Sequence, residues 1–238
     1  MLSIIIPLRN EIDNLENIKD NFNKNLKNIN FEVIFINDFS SDGTFQKANE
    51  ITKQSVNFKV FDNKKKGLGG AINLGIEKTI GDYICIMMAD LSDDFNDLKN
   101  YYIKIKDNNL DAVFGSRFTK KSKVIDYPFK KLILNRIFNL VVQILFLNKF
   151  NDYTNAFKIY NAKVLKKMTP FVSESFNIFL EIPLKIISRK YSYEIISINW
   201  YNRKVGKAKF NIKELRAKYL FTLIYCFIER VLLNKKIK

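Results

Sequence analysis

The sequence contains no histidine, and this absence removes several kinds of chemistry. Without imidazole there is no His general base, no Ser-His or Cys-His nucleophile and no His-ligated zinc or iron. We therefore expect any metal to be held by oxygen ligands. The two cysteines, Cys85 and Cys226, lie far apart in separate apolar runs and form neither a CxxC pair nor a disulfide framework. A reducing, cytosolic setting is expected.

The sequence also lacks a long uninterrupted apolar run. A helix that spans a bilayer needs about 20 predominantly apolar residues, whereas the segments 132–147 and 219–233 are broken by polar or charged side chains. Both segments are predicted to be amphipathic helices, and packing on the core and lying in a membrane interface stay equally open. The N-terminus, 1–7, has no basic region, so it is predicted to be a buried first strand and not a signal peptide.

Positive charge is abundant but unevenly distributed. The chain of 238 residues carries 40 Lys and Arg against 24 Asp and Glu, a net charge of +16. Residues 1–112 hold 14 basic and 17 acidic side chains, a net of −3, while residues 113–238 hold 26 and 7, a net of +19. The basic half indicates an anionic partner, which could be nucleic acid, a phospholipid surface or a phosphorylated substrate. The alternative, lysines that merely decorate the surface, leaves the acidic first half unexplained.

The pattern of the first half predicts an α/β fold. Apolar runs at 3–7, 31–37, 56–61 and 83–88 are predicted strands, and the segments 11–27, 44–53 and 69–79 are predicted helices. This alternation is typical of a mostly parallel central sheet flanked by helices. Ligands of such sheets bind at the carboxyl ends of the strands, so the loops that follow the strands are the predicted site.

Two of these loops carry carboxylates with distinct expected roles. After the second strand, Asp38 is placed to accept hydrogen bonds from a ribose or a nucleobase, whereas Asp42 is explained by capping the helix from Thr44. After the fourth strand, Asp90 is placed to hold Mg²⁺ or Mn²⁺ against a diphosphate. We assign Asp93, Asp94 and Asp97 to the acidic first turn of the helix that begins near Phe95.

The glycine-rich turn Gly67-Leu68-Gly69-Gly70 lacks the full G-x-G-x-x-G spacing and follows the third strand, so hydride transfer is not indicated. Since 64–66 are all lysine, the helix N-terminus that follows could receive a phosphate or the acidic loop opposite.

Taken together, these segments resemble the family 2 glycosyltransferases with the GT-A fold, most closely the branch that transfers a hexose to polyprenol or dolichol phosphate. The opening Ile4-Ile5-Ile6-Pro7 with Asn10-Glu11 is similar to I-P-x-x-N-E of that family, and 37–44 is similar to D-D-G-S-x-D-G-T. The resemblance continues through Gly67-Leu68-Gly69, Gly81-Asp82-Tyr83, Gly115-Ser116-Arg117, 152–158 and 203–209. The order and spacing of the pieces make the match specific.

The resemblance implies a role for each matching residue. Pro7, Asn10, Glu11, Asp38, Gly67 and Asp90 would bind the nucleotide sugar, and Asp90 would hold the divalent ion, Mg²⁺ or Mn²⁺. The phosphates of donor and acceptor would be neutralised by Arg117, Lys131, Asn135, Arg203 and Lys209. The implied catalytic set is Asp90, Arg117, Arg203 and Asp152.

The implied function is inverting transfer of a hexose from a GDP-mannose-type or UDP-glucose-type donor to polyprenyl phosphate at the cytoplasmic face of the membrane, to which the protein would be peripheral. The implied partners are the nucleotide sugar, the lipid phosphate or another glycan acceptor, and the membrane surface; a membrane-embedded partner protein stays open and nucleic acid is not expected. Residues 1–210 would form the GT-A domain, with nucleotide-binding (1–112) and acceptor-binding (113–210) halves, and 211–238 a C-terminal amphipathic helix.

Two alternatives remain open from the sequence. A saccharide hydroxyl as acceptor would need a general base, for which Asp152 or Glu181 is the candidate, because a hydroxyl is not ionised at neutral pH. A catalytically silent relative is the other, because Met88 stands where the family pattern has an Asp. Asn37, Leu8, Arg9, Lys131, Asn135, Lys158 and Ala208 also depart from the family pattern.

Overall fold

The computed structural model describes residues 1–202 and 212–235, with the side chains of the second range described from 217 to 233. Its described strands are β1 Leu2–Leu8, β2 Phe31–Asn37, β3 Phe58–Asp62, β4 Tyr83–Ile86, β5 Ala112–Ser116, β6 Val124–Ile125, β7 Lys158–Asn161, β8 Tyr193–Ser197 and β9 Trp200–Tyr201. Its described α-helices are α1 Leu15–Asn25, α2 Thr44–Gln54, α3 Leu68–Lys78, α4 Phe95–Asp107, α5 Phe129–Leu145, α6 Ala162–Lys167, α7 Ile178–Ser188 and α8 Ile212–Lys235. A short 3-10 helix, Ile12–Asn14, precedes α1.

The predicted α/β architecture is confirmed. Seven strands form one sheet in the order β3-β2-β1-β4-β7-β5-β8, and β7 runs antiparallel to both of its neighbours, β4 and β5. The other pairings in this sheet are parallel. The insertion of β7 was not predicted from the sequence. A second sheet pairs the short strands β6 and β9.

The central strands are buried on both faces because their alternate side chains enter two separate cores. On one face, Ile5, Ile34 and Ile36 pack beneath α3 and the helices of the second half. On the other face, Ile4, Ile6, Val33 and Phe35 pack against α1, α2 and α4. Consecutive β-branched residues therefore suit these strands, since neither face meets water.

At the amino edge of the sheet, the buried carboxylate of Glu32 accepts hydrogen bonds from three donors. The Ser3 hydroxyl lies 2.6 Å from Oε1, the Ile80 N–H 2.7 Å from Oε1 and the Lys59 ammonium 2.8 Å from Oε2. Burial alone would raise the pKa of Glu32, but the hydrogen bonds from Lys59, Ser3 and Ile80 outweigh it and lower the pKa. This cluster joins β1, β2, β3 and the turn before β4.

We expect Glu32→Ala to lower the free energy of unfolding by about 2 kcal/mol, because buried donors lose their acceptor. Since the folded pKa is lowered, the stabilisation is present above the unfolded pKa of about 4.3 and is lost as the pH falls through the folded value. Urea unfolding at pH 7 and pH 3 measures both effects. Glu77→Ala is the control, since Glu77 is exposed and pairs with the neighbouring Lys78. Equal midpoints for the two variants would contradict the prediction.

Helix α8 is held to α7 by polar contacts. Glu229 accepts from Arg189 Nε at 2.8 Å and lies 3.5 Å from Lys185 Nζ, and Asn177 donates to the Thr222 hydroxyl at 2.9 Å. A second side of α8 packs against α5 and its C-terminal end, where Tyr219 contacts Phe138 and Phe227 contacts Phe146. The remaining sides of α5 and α8 expose apolar side chains.

We call this exposed surface the apolar face; it consists of Phe129, Ile133, Leu134, Ile137, Leu140, Val141, Ile144, Leu145 and Leu147 from α5 and its end, and Leu220, Phe221, Ile224, Phe227, Ile228, Val231 and Leu232 from α8. Both helices thus bury one side only. In the described ranges, 1–202 and 212–235, none of the helices combines the length and hydropathy needed to cross a bilayer.

Candidate functional site

The loops after β1 and β2 are bound to each other at the carboxyl edge of the sheet. Pro7 and Ile36 are register partners in the paired strands. Beyond them, the Asn10 N–H donates to the Ser40 hydroxyl at 3.0 Å, and the Ser41 N–H donates to Asn10 Oδ1 at 2.8 Å. The Ser40 hydroxyl and the Ser41 N–H thus join the loop after β2 to the loop after β1.

Two further residues complete this junction. The Glu11 N–H donates to the Thr44 hydroxyl at 2.9 Å, and the Glu11 carboxylate accepts from Asn14 Nδ2 at 2.9 Å. Asp42 accepts from the Thr44 N–H at 3.1 Å, so it contacts the start of α2 as predicted, although the N-cap residue itself is Gly43. Burial opposes the charge of Asp42, but its hydrogen bonds with Thr44 prevail and lower its pKa.

Asp38 organises the turn between β3 and α3. Its Oδ1 accepts from Asn63 Nδ2 and from the Gly67 N–H, both at 2.8 Å, while its Oδ2 lies 3.9 Å from an Arg9 nitrogen. Asn63 also donates to the Lys65 carbonyl at 2.7 Å. Asp38 therefore fixes the β3–α3 turn beside the loop after β2, and ribose or base recognition by Asp38 stays a prediction.

The glycine-rich turn before α3 receives the acidic loop opposite, which is one of the two partners expected for it, and nucleotide binding by Gly67 stays a prediction. The Gly67 N–H is taken by Asp38, and the Gly69 N–H donates to the Glu174 carbonyl at 3.1 Å. A Cβ on Gly69 would lie 1.8 Å from the Ser173 carbonyl oxygen. The glycines thus allow the 173–174 backbone to approach α3 closely.

Asp90 lies at the carboxyl end of β4, partly exposed, as the sequence indicates. Its Oδ1 accepts from the Ser92 N–H at 3.2 Å. Asp94 caps α4 by accepting from the Asn96 N–H at 2.8 Å, which confirms its assignment to the helix start. Asp97 lies in the first turn of α4, as assigned, and it also accepts from the Asn199 N–H at 2.8 Å, which fastens the segment before β9 to α4.

Asp93 was misassigned to the helix turn. Its side chain is buried at 6% exposure, and its backbone forms an isolated bridge with Trp200. Burial and the nearby Asp90 charge raise the pKa of Asp93 to about 7, although Arg117 and the Met88 N–H oppose the shift. A carboxyl group three residues after Asp90 was the only sequence signal, and an acidic helix start explained it equally well.

Arg117 and Asp152 form a buried bidentate ion pair. Arg117 Nε and one terminal nitrogen lie 2.8 and 2.7 Å from the two Asp152 oxygens, and the Arg117 N–H adds a third bond at 2.9 Å. Asp152 is fully buried and Arg117 is 7% exposed. Burial disfavours the charge of Arg117, but Asp152 outweighs it and raises the pKa of Arg117. Asp152 is thus committed to Arg117, and its prediction as a general base is wrong.

Aromatic rings and a second buried cation surround this pair. The Arg117 guanidinium lies 5.3, 5.7 and 6.0 Å from the ring centroids of Phe118, Tyr127 and Trp200. Lys158 is fully buried, donates to the Tyr153 carbonyl at 3.1 Å and also donates to the Asn155 carbonyl. Burial lowers the pKa of Lys158 to about 7, against the effect of Asp152.

Asn135 connects α5 to this group. Its Nδ2 donates to the Thr154 hydroxyl at 2.9 Å and lies 3.4 Å from the Tyr127 hydroxyl. Lys131 is exposed one turn earlier on α5, so it lies on the same side of the helix as Asn135. Asn135 is therefore linked to Arg117 through Tyr127, and acceptor binding by Lys131 and Asn135 stays a prediction. Arg203 and Lys209 lie outside the described residues.

Glu181 is fully buried and engaged by internal partners, which contradicts its candidacy as a base. Its fully buried carboxylate accepts from the Ser173 N–H at 2.8 Å and the Val172 N–H at 3.2 Å, and lies 3.4 Å from Lys185 Nζ. These contacts hold the 172–174 segment over α3, so Glu181 has a structural role.

Comparisons with known proteins agree with this geometry. A family model for Glycosyl transferase family 2 matches residues 3–169. Dolichol-phosphate mannosyltransferase of Pyrococcus furiosus is 32% identical over 135 residues, which are 57% of this chain and 38% of that protein. Dolichyl-phosphate beta-glucosyltransferase of Dictyostelium discoideum is 29% identical over 217 residues, 84% of this chain and 66% of that protein. The chain thus spans 38% and 66% of the lengths of these relatives.

Solved structures share the fold. Glucosyl-3-phosphoglycerate synthase from Mycobacterium tuberculosis in complex with Mn²⁺, UDP and phosphoglyceric acid matches with a TM-score of 0.73 at 14% identity, over 95% of this chain and 78% of that chain. The same enzyme with UDP matches with a TM-score of 0.71 at 14% identity, over 95% of this chain and 80% of that one. The predicted GT-A fold is thereby confirmed.

Proposed function

Because the chain belongs to glycosyl transferase family 2, we propose that it transfers a hexose from a nucleoside diphosphate sugar to a polyprenyl phosphate, with inversion at the anomeric carbon. The nucleotide would lie against the loops after β1 and β2, where Pro7, Asn10, Glu11 and Asp38 converge. The names of the two relatives, which specify dolichol-phosphate mannosyl and glucosyl transfer, support a hexose donor and a lipid phosphate acceptor.

A divalent ion fits this edge of the sheet if the donor supplies most of its ligands. In the described part of the chain, no group of three or more Asp, Glu or Cys side chains forms a closed metal site. Asp90 is one partly exposed carboxylate, and Mg²⁺ is commonly bound by one or two carboxylates plus substrate phosphates. Asp90 would hold the ion. When bound, the ion would offset the negative charge of the departing nucleoside diphosphate.

A phosphate acceptor is favoured because Asp152 and Glu181 are both already bound to partners within the protein. Both carboxylates proposed as bases for a hydroxyl acceptor are fully buried and paired, so neither is placed to take a proton. A phosphate monoester is already ionised at pH 7 and needs no base. Lys131 and Asn135 would orient the acceptor phosphate, and Arg117 would supply positive potential beneath it.

The reaction then follows as one displacement. The acceptor phosphate oxygen attacks the anomeric carbon while the bond to the donor diphosphate breaks, so a single step inverts the configuration. In this chain, the junction at Asn10 and Glu11 would position the donor nucleotide. Arg117 and Lys131 would supply positive charge. Such preorganised charges favour the transition state because they need no rearrangement as charge moves to the leaving group.

The test is transfer of labelled hexose from a panel of GDP- and UDP-hexoses to short-chain polyprenyl phosphate, with Mn²⁺ or Mg²⁺ and with EDTA. Label in the lipid that disappears with EDTA would support the proposal and identify the donor. Label in a saccharide but not in the lipid would favour a hydroxyl acceptor, and bound but unreacted donor would favour a catalytically silent relative.

The apolar face supports a position at a membrane surface. Residues 117–151 include eight Lys or Arg and one acidic residue, Asp126. Lys130, Lys131 and Lys149 are exposed at the two ends of α5, beside the apolar face. An amphipathic helix with this composition lies in the interface, with its apolar side in the acyl boundary and its lysines at anionic headgroups. We propose that the acceptor half, 113–210, and the C-terminal helix meet the cytoplasmic leaflet together.

We expect the purified protein to sediment with vesicles that contain about 30% phosphatidylserine. The double substitution Ile137→Asp and Ile144→Asp should reduce the bound fraction about tenfold. Both side chains are more than half exposed, so the fold should not suffer. Ile80→Asp is the matched control, since Ile80 is 69% exposed but lies between α3 and β4. Absence of wild-type binding would instead assign the apolar face to a membrane-embedded partner protein.

A further inference from the structure

Phe39 is an exposed aromatic residue at the carboxyl end of β2. Half of its surface is exposed, and the Lys66 ammonium lies 6.0 Å from its ring centroid. The ring therefore contributes little to either core. It directly follows Asp38 and so lies at the carboxyl edge of the sheet.

The backbone of Phe39 adopts a conformation that disfavours a side chain. Its φ is 56°, in the left-handed region, where the Cβ of an L-residue approaches the next carbonyl oxygen. The neighbouring Ser40 holds this conformation, because its N–H donates to Asn37 Oδ1 at 3.3 Å and its hydroxyl accepts from the Asn10 N–H at 3.0 Å. The motif that this segment resembles has glycine here. A bulky ring thus occupies a position where glycine would cost less.

The same loop network places Lys66 beside the ring. Asp38 binds Asn63 and the Gly67 N–H, and these two residues flank the lysines of the β3–α3 turn. The ring of Phe39 and the ammonium of Lys66 consequently lie next to each other at the carboxyl edge of the sheet. An exposed ring next to a cation suits a ligand that has a flat π-surface and negative charge, which is the chemistry of a nucleotide.

We propose that Phe39 is the stacking surface for the nucleobase of the donor; this inference rests on the proposed function. Strained backbone that does not serve packing is often retained at a binding site. Every nucleobase has a π-face, so stacking on Phe39 raises the affinity for uracil and guanine nucleotides alike. The choice between them then depends on polar groups and not on this ring.

The experiment is calorimetric titration of the full chain with UDP and with GDP in the presence of Mn²⁺. Relative to wild type, Phe39→Leu and Phe39→Gly are expected to weaken binding of the preferred nucleotide about tenfold, whereas Phe39→Tyr retains its affinity. The melting temperature of Phe39→Gly is expected to equal or exceed that of wild type, because glycine accepts this φ. Lys190→Gly is the matched control, since Lys190 is exposed with φ 57° before the amino end of β8, at the opposite edge of the sheet.

The outcomes separate this inference from the proposed function. If wild type binds a nucleotide and Phe39→Leu and Phe39→Gly bind it equally well, the stacking role is wrong while the proposed function stands. A large fall in melting temperature with Phe39→Gly would assign the ring a structural role and overturn the inference. If wild type binds neither UDP nor GDP, the proposed function fails and the inference fails with it.

Discussion

Replacement of Asp90 by Asn is expected to lower the rate of hexose transfer by about three orders of magnitude. Asp90 is the carboxylate at the end of β4 that would hold the divalent ion, and loss of such charge stabilisation commonly costs about 10²–10³ in kcat. Asn keeps the shape of Asp and an oxygen for the Ser92 N–H, which lies 3.2 Å from Oδ1. The loop should therefore keep its conformation.

Asp94→Asn serves as the control for Asp90→Asn. It removes the same charge from the same loop, but Asp94 caps α4, and Asn is an equally good capping residue. We expect unchanged transfer and an unchanged melting temperature. Initial rates at a series of Mn²⁺ concentrations measure both variants, and full activity of Asp90→Asn at every concentration would contradict the role proposed for Asp90.

Removal of Asp152 is expected to destabilise the protein by about 3–5 kcal/mol, because Arg117 would keep a buried charge without its partner. Asp152→Ala should show this loss in chemical denaturation. Glu194→Ala is the comparison, since the Lys104–Glu194 pair also has a 2.8 Å separation but is more than one third exposed. Exposed pairs contribute about 0–1 kcal/mol, so Glu194→Ala should cost far less.

A double replacement separates stability from activity at the same pair. Arg117→Met with Asp152→Leu removes both charges, and apolar residues of similar volume often restore the stability that a single replacement loses. If Arg117 supplies positive potential to the acceptor phosphate, the double variant regains stability but not hexose transfer. Recovery of both would show that the ion pair is only structural.

The parallel half of the fold was predictable because its signals are local. Each apolar run from 3 to 88 is short, β-branched and followed by an amphipathic segment, and the structure places a strand at each. The position of β7 was not predictable. It is antiparallel and lies between β4 and β5, although it follows β5 by more than 40 residues.

The residues of the candidate site were also only partly predictable from the sequence. Asp38 and Asp90 were singled out because strand ends can be read from the sequence, and their roles toward ligands stay predictions. The sequence did not show that Asp38 is buried, at 4% exposure, whereas Asp90 is partly exposed. Asp152 was misjudged because nothing near it in sequence shows that Arg117, 35 residues earlier, takes both of its oxygens. Asp93 and Glu181 were misjudged for the same reason: their burial and their partners arise from distant segments.

The sequence by itself determined the α/β class, the family resemblance and the strand ends where ligands gather, because hydrophobic period and motif spacing act over a few residues. Only the tertiary structure decided which charged groups are available for chemistry. It pairs Arg117 with Asp152 and Glu181 with Lys185, covers the Gly69 N–H with Glu174, and leaves Phe39 exposed. Burial and pairing depend on contacts between remote segments, and those contacts exist only once the sheet and its helices have packed.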